Sequence, residues 1–218
     1  MKPQVLSWEL GKRLRDDAIV SSDSGTMTTW WARQIPAKRG QMHSCSGMLA
    51  TMACGLPYTI AAQIAYPDRQ CVAFVGDGSF SMLMAEFATA VKYNLPIKVF
   101  IVKNDTLGQI KWEQMVFLGT PEYGVELHPI DFAKFAEACG GTGLTVEDPA
   151  ECGQVIEQAL NFDGPVVVQA VVDQFEPPLP AKITADQAKK FAQSLLRGEP
   201  NREQIALTAL GTKVRELI

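Results

Sequence analysis

Residues 71–78 read Cys-Val-Ala-Phe-Val-Gly-Asp-Gly, and residues 97–104 read Ile-Lys-Val-Phe-Ile-Val-Lys-Asn. Each is a short apolar run closed by turn-forming residues, which predicts a buried strand followed by a loop. Between them Phe80, Met84, Phe87 and Val91 recur at helical spacing and predict one helix over residues 80–93. Strand, helix and strand form a crossover, and crossovers join parallel strands. Asp77 and Asn104, 27 positions apart, would then emerge at the same carboxyl edge of one sheet.

The same alternation extends in both directions. Further strands are predicted at residues 18–21, 142–146 and 166–172, with the two central ones at 71–75 and 97–102. Leu6, Leu10 and Leu14 make an amphipathic first helix, and Phe132, Phe135, Ala136 and Cys139 make another, ended by Gly140-Gly141. Asp148-Pro149-Ala150-Glu151 predicts a helix start with Asp148 as its cap. The pattern is that of an α/β fold with a doubly wound, mostly parallel sheet and helices on both faces. After Val172 the run Glu176-Pro177-Pro178-Leu179-Pro180 cannot continue a sheet and predicts a stiff linker. Two helical patterns follow, one through Ala188, Phe191, Ala192, Leu195 and Leu196, the other through Ile205, Leu207, Leu210, Val214 and Leu217. The expected division is therefore an α/β domain over 1–175 and a linker with a helical tail over 176–218.

Composition limits the function. The chain of 218 residues carries a formal net charge of -4 and is 47% hydrophobic, so it offers no basic field for a nucleic-acid backbone. Five scattered cysteines without a Cys-x-x-Cys pair, and only His43 and His128, leave too few ligands for zinc. Reduced thiols in a cytoplasmic setting are expected. No run reaches 18 apolar residues, so no bilayer span is expected.

At the predicted sheet edge, Gly76-Asp77-Gly78-Ser79 puts a carboxylate after a strand and glycines beside a helix start. A carboxylate suits a hard cation, and helix-start NH groups suit an anion. Asn104 would add a second oxygen. Magnesium takes few protein oxygens and leaves positions for diphosphate oxygens and water, which fits a site without clustered Lys or Arg.

The pair GDGSF (76–80) and NDTLG (104–108) resembles the signature of thiamin diphosphate enzymes, and the surroundings, from about Leu6 to about Leu196, are similar to the pyruvate oxidase and acetolactate synthase group. That resemblance implies Asp77, Asn104 and the Thr106 carbonyl as Mg²⁺ ligands, with Gly25, Thr26, Gly78, Ser79, Leu107 and Gly108 beside the diphosphate. It implies Met52 as the apolar wedge that bends the cofactor, the Ala50 carbonyl as partner of its amine, and the Met52 NH as donor to a ring nitrogen. Ile110 and Glu113 match the wall of a keto-acid pocket, and His128 matches a loop residue. Lys103 stands where the family commonly has an asparagine that is not a ligand, and Ala53 stands where it often has glycine. Read without the resemblance, Met52 would fill a helix core, and Glu113 would sit on a solvated face beside Lys111.

What the resemblance implies for function is the thiamin diphosphate- and Mg²⁺-binding part of a 2-keto acid, pyruvate-type, decarboxylating enzyme. The pyrimidine-binding domain and the FAD domain of such enzymes have no counterpart in these residues, so another chain or segment is the expected partner in a homo- or hetero-oligomer. Alternatives are an acetolactate synthase-like carboligase part and a non-catalytic, regulatory cofactor-binding partner. The tail has two readings, peripheral contact with a membrane and docking on a neighbouring domain.

Overall fold

The computed structural model describes residues 1–178 and 183–216. Leu179 and Pro180 of the expected linker, and Leu217 of the expected tail stripe, lie outside the described residues. Tertiary contacts gather the chain into two units, one of residues 1–104 and 129–172, the other of residues 105–128 and 173–218.

The first unit is a single six-stranded sheet: β1 (Ile19–Ser22), β2 (Met42–Ser44), β3 (Cys71–Gly76), β4 (Lys98–Lys103), β5 (Thr142–Val146) and β6 (Val166–Val171). Every pairing is parallel, in the order β2-β1-β3-β4-β6-β5. The expected α/β fold is what the chain adopts. β2 was not expected from the sequence, because three residues carry no readable alternation.

Helices α1 (Pro3–Arg13), α2 (Thr26–Gln34), α3 (Gly55–Ala65), α4 (Asp77–Leu83), α5 (Phe87–Lys92), α7 (Phe132–Ala138) and α8 (Cys152–Asn161) cover both faces. Period-two alternation divides the strand side chains between them. Val72, Phe74, Phe100 and Val168 pack with Leu6, Leu10, Met27 and Ile156 on one face. Cys71, Ala73, Val75, Val99 and Ile101 pack with Leu56, Ile60, Phe87 and Ala136 on the other. Both faces being buried explains why β3 and β4 read as continuous apolar runs.

Two boundaries differ from the sequence reading. The helix expected over 80–93 is broken by a 3₁₀ turn at Met84–Glu86 into α4 and α5, while Phe80 and Phe87 still reach one core. α8 starts at Cys152, not at Pro149, because Asp148 closes a turn of its own, accepting Ala150 NH at 2.8 Å through its side chain.

The second unit holds α6 (Gly108–Glu113), a π-helical turn (Gln114–Leu118), α9 (Ala185–Leu196) and α10 (Arg202–Glu216). Trp112, Met115, Val116 and Ile205 form its core, with Phe175, Phe191 and Leu195 around them. The tail stripe expected from the sequence is split: Ile205 is buried, whereas Leu207 and Leu210 are exposed. Among the described residues no helix is long and apolar enough to cross a membrane.

Candidate functional site

The chain winds from β1 outward to β2 on one side and then, through β3, to the other side, so the carboxyl ends of β1 and β3 face a topological switch point. Crevices of this kind are where open α/β sheets hold ligands. The loop after β1 carries Asp23, Ser24 and Gly25, and α4, which starts directly after β3, opens with Asp77, Gly78 and Ser79.

Asp77 is buried at the first position of α4. Its Oδ1 accepts the Gly78 NH at 2.8 Å, and its Oδ2 accepts the Asn104 NH at 2.9 Å. The β3–β4 register, with Gly76 opposite Val102, places the two strand ends side by side, as the crossover predicts. A carboxylate oxygen has lone-pair capacity beyond one NH bond, so both oxygens can still face a cation. Ser79 is buried too, and its hydroxyl has no hydrogen-bond partner. An orphaned buried hydroxyl next to a helix start fits a diphosphate oxygen as its missing partner.

Gly25 caps α2 at φ 155°, a conformation that side chains rarely adopt, and its NH meets Thr28 Oγ1 at 3.2 Å. Thr26 opens α2. Ala50 and Met52 lie in the loop before α3, not in a helix, so Met52 is a half-buried turn residue and not helix-core filling. Ala50 (φ 49°) and Ala53 (φ 67°) both hold the left-handed conformation that glycine adopts without penalty.

Thr106, Leu107, Gly108, Ile110 and Glu113 belong to the second unit. The Thr106 carbonyl accepts Gly108 NH at 2.8 Å, its hydroxyl donates to the Val125 carbonyl at 3.2 Å, and Thr106 bridges to Glu126. Ile110 and Glu113 are exposed on α6. Glu113 accepts from Gln109 Nε2 at 2.9 Å. Lys111 is not on that solvated face: it is fully buried and pairs with Glu122 at 2.8 Å. His128 is exposed.

Among the described residues no three His, Cys, Asp or Glu side chains gather as a metal cage. The donors at the sheet edge are instead one carboxylate and neutral oxygens, the hard set that magnesium accepts. The five cysteines are free thiols, and burial pushes Cys54, Cys71 and Cys152 up to about 11.

Asp23 escaped the sequence reading. It is 1% exposed, accepts the Gly55 NH at 2.5 Å, and burial raises its carboxyl above the ordinary range against the opposing pull of Gly55, Cys54 and Ser79. Its signal was present, since an apolar strand followed by an acid and a nearby glycine is the logic that singled out Asp77.

Residues 23–170 match the family model described as "Thiamine pyrophosphate enzyme, C-terminal TPP binding domain". The chain is 42% identical over 217 residues to the Bacillus subtilis (strain 168) protein YdaP, described as thiamine pyrophosphate-containing, covering 100% of this chain and 38% of that protein. It is 33% identical to the pyruvate oxidase of Lactiplantibacillus plantarum, over 95% of this chain and 35% of that one. It is 30% identical to the mitochondrial acetolactate synthase catalytic subunit of Aspergillus candidus, over 83% of this chain and 26% of that one. The chain thus spans well under half the length of these relatives. A match over most of the chain, on a fold whose switch point carries Asp77 and Ser79, places it plainly: the chain belongs to the thiamine pyrophosphate enzyme family, as its C-terminal cofactor-binding domain.

Proposed function

We propose that Asp77 and Asn104, with the Thr106 carbonyl two residues further on, hold Mg²⁺, and that Gly25, Thr26, Gly78, Ser79, Leu107 and Gly108 hold the diphosphate of thiamin diphosphate. The observation that carries this reading is the Asp77 carboxylate, buried between the helix-start amide of Gly78 and the amide of Asn104, two residues before the unpartnered Ser79 hydroxyl. When bound, the cofactor supplies an electron sink for decarboxylating a 2-keto acid. The chain's own contribution is orientation: a cation site at the diphosphate end, and a left-handed loop that presents the Ala50 carbonyl, the Met52 NH and the Met52 side chain at the ring end.

The larger enzyme is of the pyruvate oxidase type, a reading supported by Glu113 and Ile110, which match a keto-acid pocket of that group. The acetolactate synthase type is the second reading, supported by identities of similar size to both kinds of relative. The pyrimidine-binding domain comes from another segment or chain, FAD is held outside these residues, and the assembly works in the cytoplasm. Exposed Leu207 and Leu210 leave lipid contact as the tail's second role, which liposome flotation with and without the residues after Pro200 decides.

Titration with thiamin diphosphate, with and without Mg²⁺, on wild type and Asp77→Ala tests the site. Magnesium-dependent binding by wild type alone is expected. Equal binding in all arms rejects the site, and robust pyruvate turnover by this chain alone rejects the need for a partner segment.

A further inference from the structure

Asp23 joins three pieces of the switch point. Its Oδ1 accepts the NH of Gly55, the first residue of α3, at 2.5 Å. That NH is one of the orphan donors of a helix start, and Cys54 makes no side-chain cap bond there, so a residue from β1's end supplies the cap. The approach is tight: a Cβ on Gly55 would lie 2.6 Å from Val75 Cγ1 and 3.2 Å from Asp23 Oδ1. The Asp23 carbonyl also takes the Thr28 hydroxyl in the first turn of α2.

The other carboxyl oxygen, Oδ2, is buried without a hydrogen-bond partner, and so is Ser79 Oγ. The two side chains act on one another without completing a bond. Two orphaned buried oxygens are costly together unless a proton joins them. A serine hydroxyl has one hydrogen to give. Beside a charged Asp23 that hydrogen would be drawn to the carboxylate, leaving lone pairs for an incoming anion. Beside a neutral Asp23 the carboxyl donates and the serine hydrogen is free.

Resting on the diphosphate site proposed above, we infer that Asp23 is a positioning residue in its neutral acid form, donating from Oδ2 to Ser79 Oγ. The Ser79 hydrogen is thereby aimed at the anion, while Oδ1 pins α3 and the preceding loop that carries Ala50 and Met52. Burial at the end of β1 favours that neutral form, and an anion bound nearby acts in the same direction.

The test uses Asp23→Asn, Asp23→Ala, Ser79→Ala and the double variant Asp23→Ala with Ser79→Ala. Asparagine reproduces the pattern of one acceptor and one donor. Affinity for thiamin diphosphate with Mg²⁺ should stay within about threefold in Asp23→Asn and weaken about tenfold or more in Asp23→Ala, the scale of a lost bond to a charged group. In the Ser79→Ala background the same Asp23→Ala change should cost much less, a coupling that general loosening would not produce. Hydrogen exchange should show the Gly55 amide protected in wild type and Asp23→Asn and unprotected in Asp23→Ala. Equal losses in Asp23→Asn and Asp23→Ala, or unaltered binding by Asp23→Ala, overturn the inference alone. A wild-type chain that binds no thiamin diphosphate overturns the site and the inference together.

Discussion

Asp77 Oδ2 accepts the backbone NH of Asn104 at 2.9 Å, tying the end of β3 to the end of β4. Its carboxylate therefore has a structural task besides any cation, and two substitutions separate them. Asp77→Asn keeps one of the two acceptors but turns an NH2 towards the other backbone NH, so it should cost about 1–2 kcal/mol of stability and lose the magnesium-dependent gain in thiamin diphosphate affinity. Asp77→Ala leaves the amides of Gly78 and Asn104 both without that acceptor and should cost about 2–3 kcal/mol in urea unfolding. Calorimetric titration that finds Asp77→Asn still responding to Mg²⁺ would count against Asp77 as a ligand.

Ala53 holds φ 67° where related enzymes often have glycine. An L-residue in that conformation costs about 1–2 kcal/mol, and glycine's extra freedom in the unfolded chain returns about 0.5–1. Ala53→Gly should be neutral or stabilising by up to about 1 kcal/mol, and Ala53→Val clearly destabilising. Thermal melts of the two variants check this, and a lower melting point for Ala53→Gly contradicts it.

Trp31 Nε1 donates to His43 Nδ1 at 3.2 Å, and His43 Nε2 meets Gln41 Oε1 at 3.1 Å. That network assigns the proton to Nε2 and leaves Nδ1 as acceptor. Burial holds the imidazole below its ordinary value. With the folded pKa depressed below about 6.5, the unfolded state binds more protons in the window between the two values. The stability is present above that pH and is lost as pH falls through the folded value. Wild type should lose more stability than His43→Gln between pH 7.5 and pH 5, read by urea unfolding at each pH.

Lys111 is buried with Glu122 at 2.8 Å in the second unit, and Glu199 accepts the Glu122 NH at 2.8 Å. Glu122 keeps 17% of its side chain exposed, so removing its buried partner leaves a half-buried charge, and Lys111→Ala should cost about 2–3 kcal/mol. Lys111→Met combined with Glu122→Gln should recover most of that loss in denaturant titrations. Failure of the pair to recover would show that the ion pair itself supplies the stability.

Gly143 sits where α7 crosses β5, and a Cβ there would lie 2.0 Å from the Ala133 carbonyl oxygen. Backbone cannot yield as a flexible side-chain end does. Gly143→Ala should destabilise by more than about 2 kcal/mol, with the loss seen in the melting of the sheet unit.

Sequence alone determined five of the six strands and the neighbourhood of Asp77 and Asn104. β3 and β4 are buried on both faces, so their apolar runs are unbroken and their ends are marked by Gly76-Asp77-Gly78 and Asn104. A crossover between parallel strands has one sensible hand and brings those ends together, which makes the Asp77–Asn104 neighbourhood legible in the sequence. What only the tertiary structure decided depends on groups far apart in the chain. β2 is three residues long and exists through its pairing with β1, the break between α4 and α5 lies inside a continuous apolar stripe, and Lys111 turns inward to a glutamate eleven residues away. The cap that Asp23 gives to Gly55 belongs to the same class, because a hydrogen bond between residues 32 positions apart leaves no local periodicity to read.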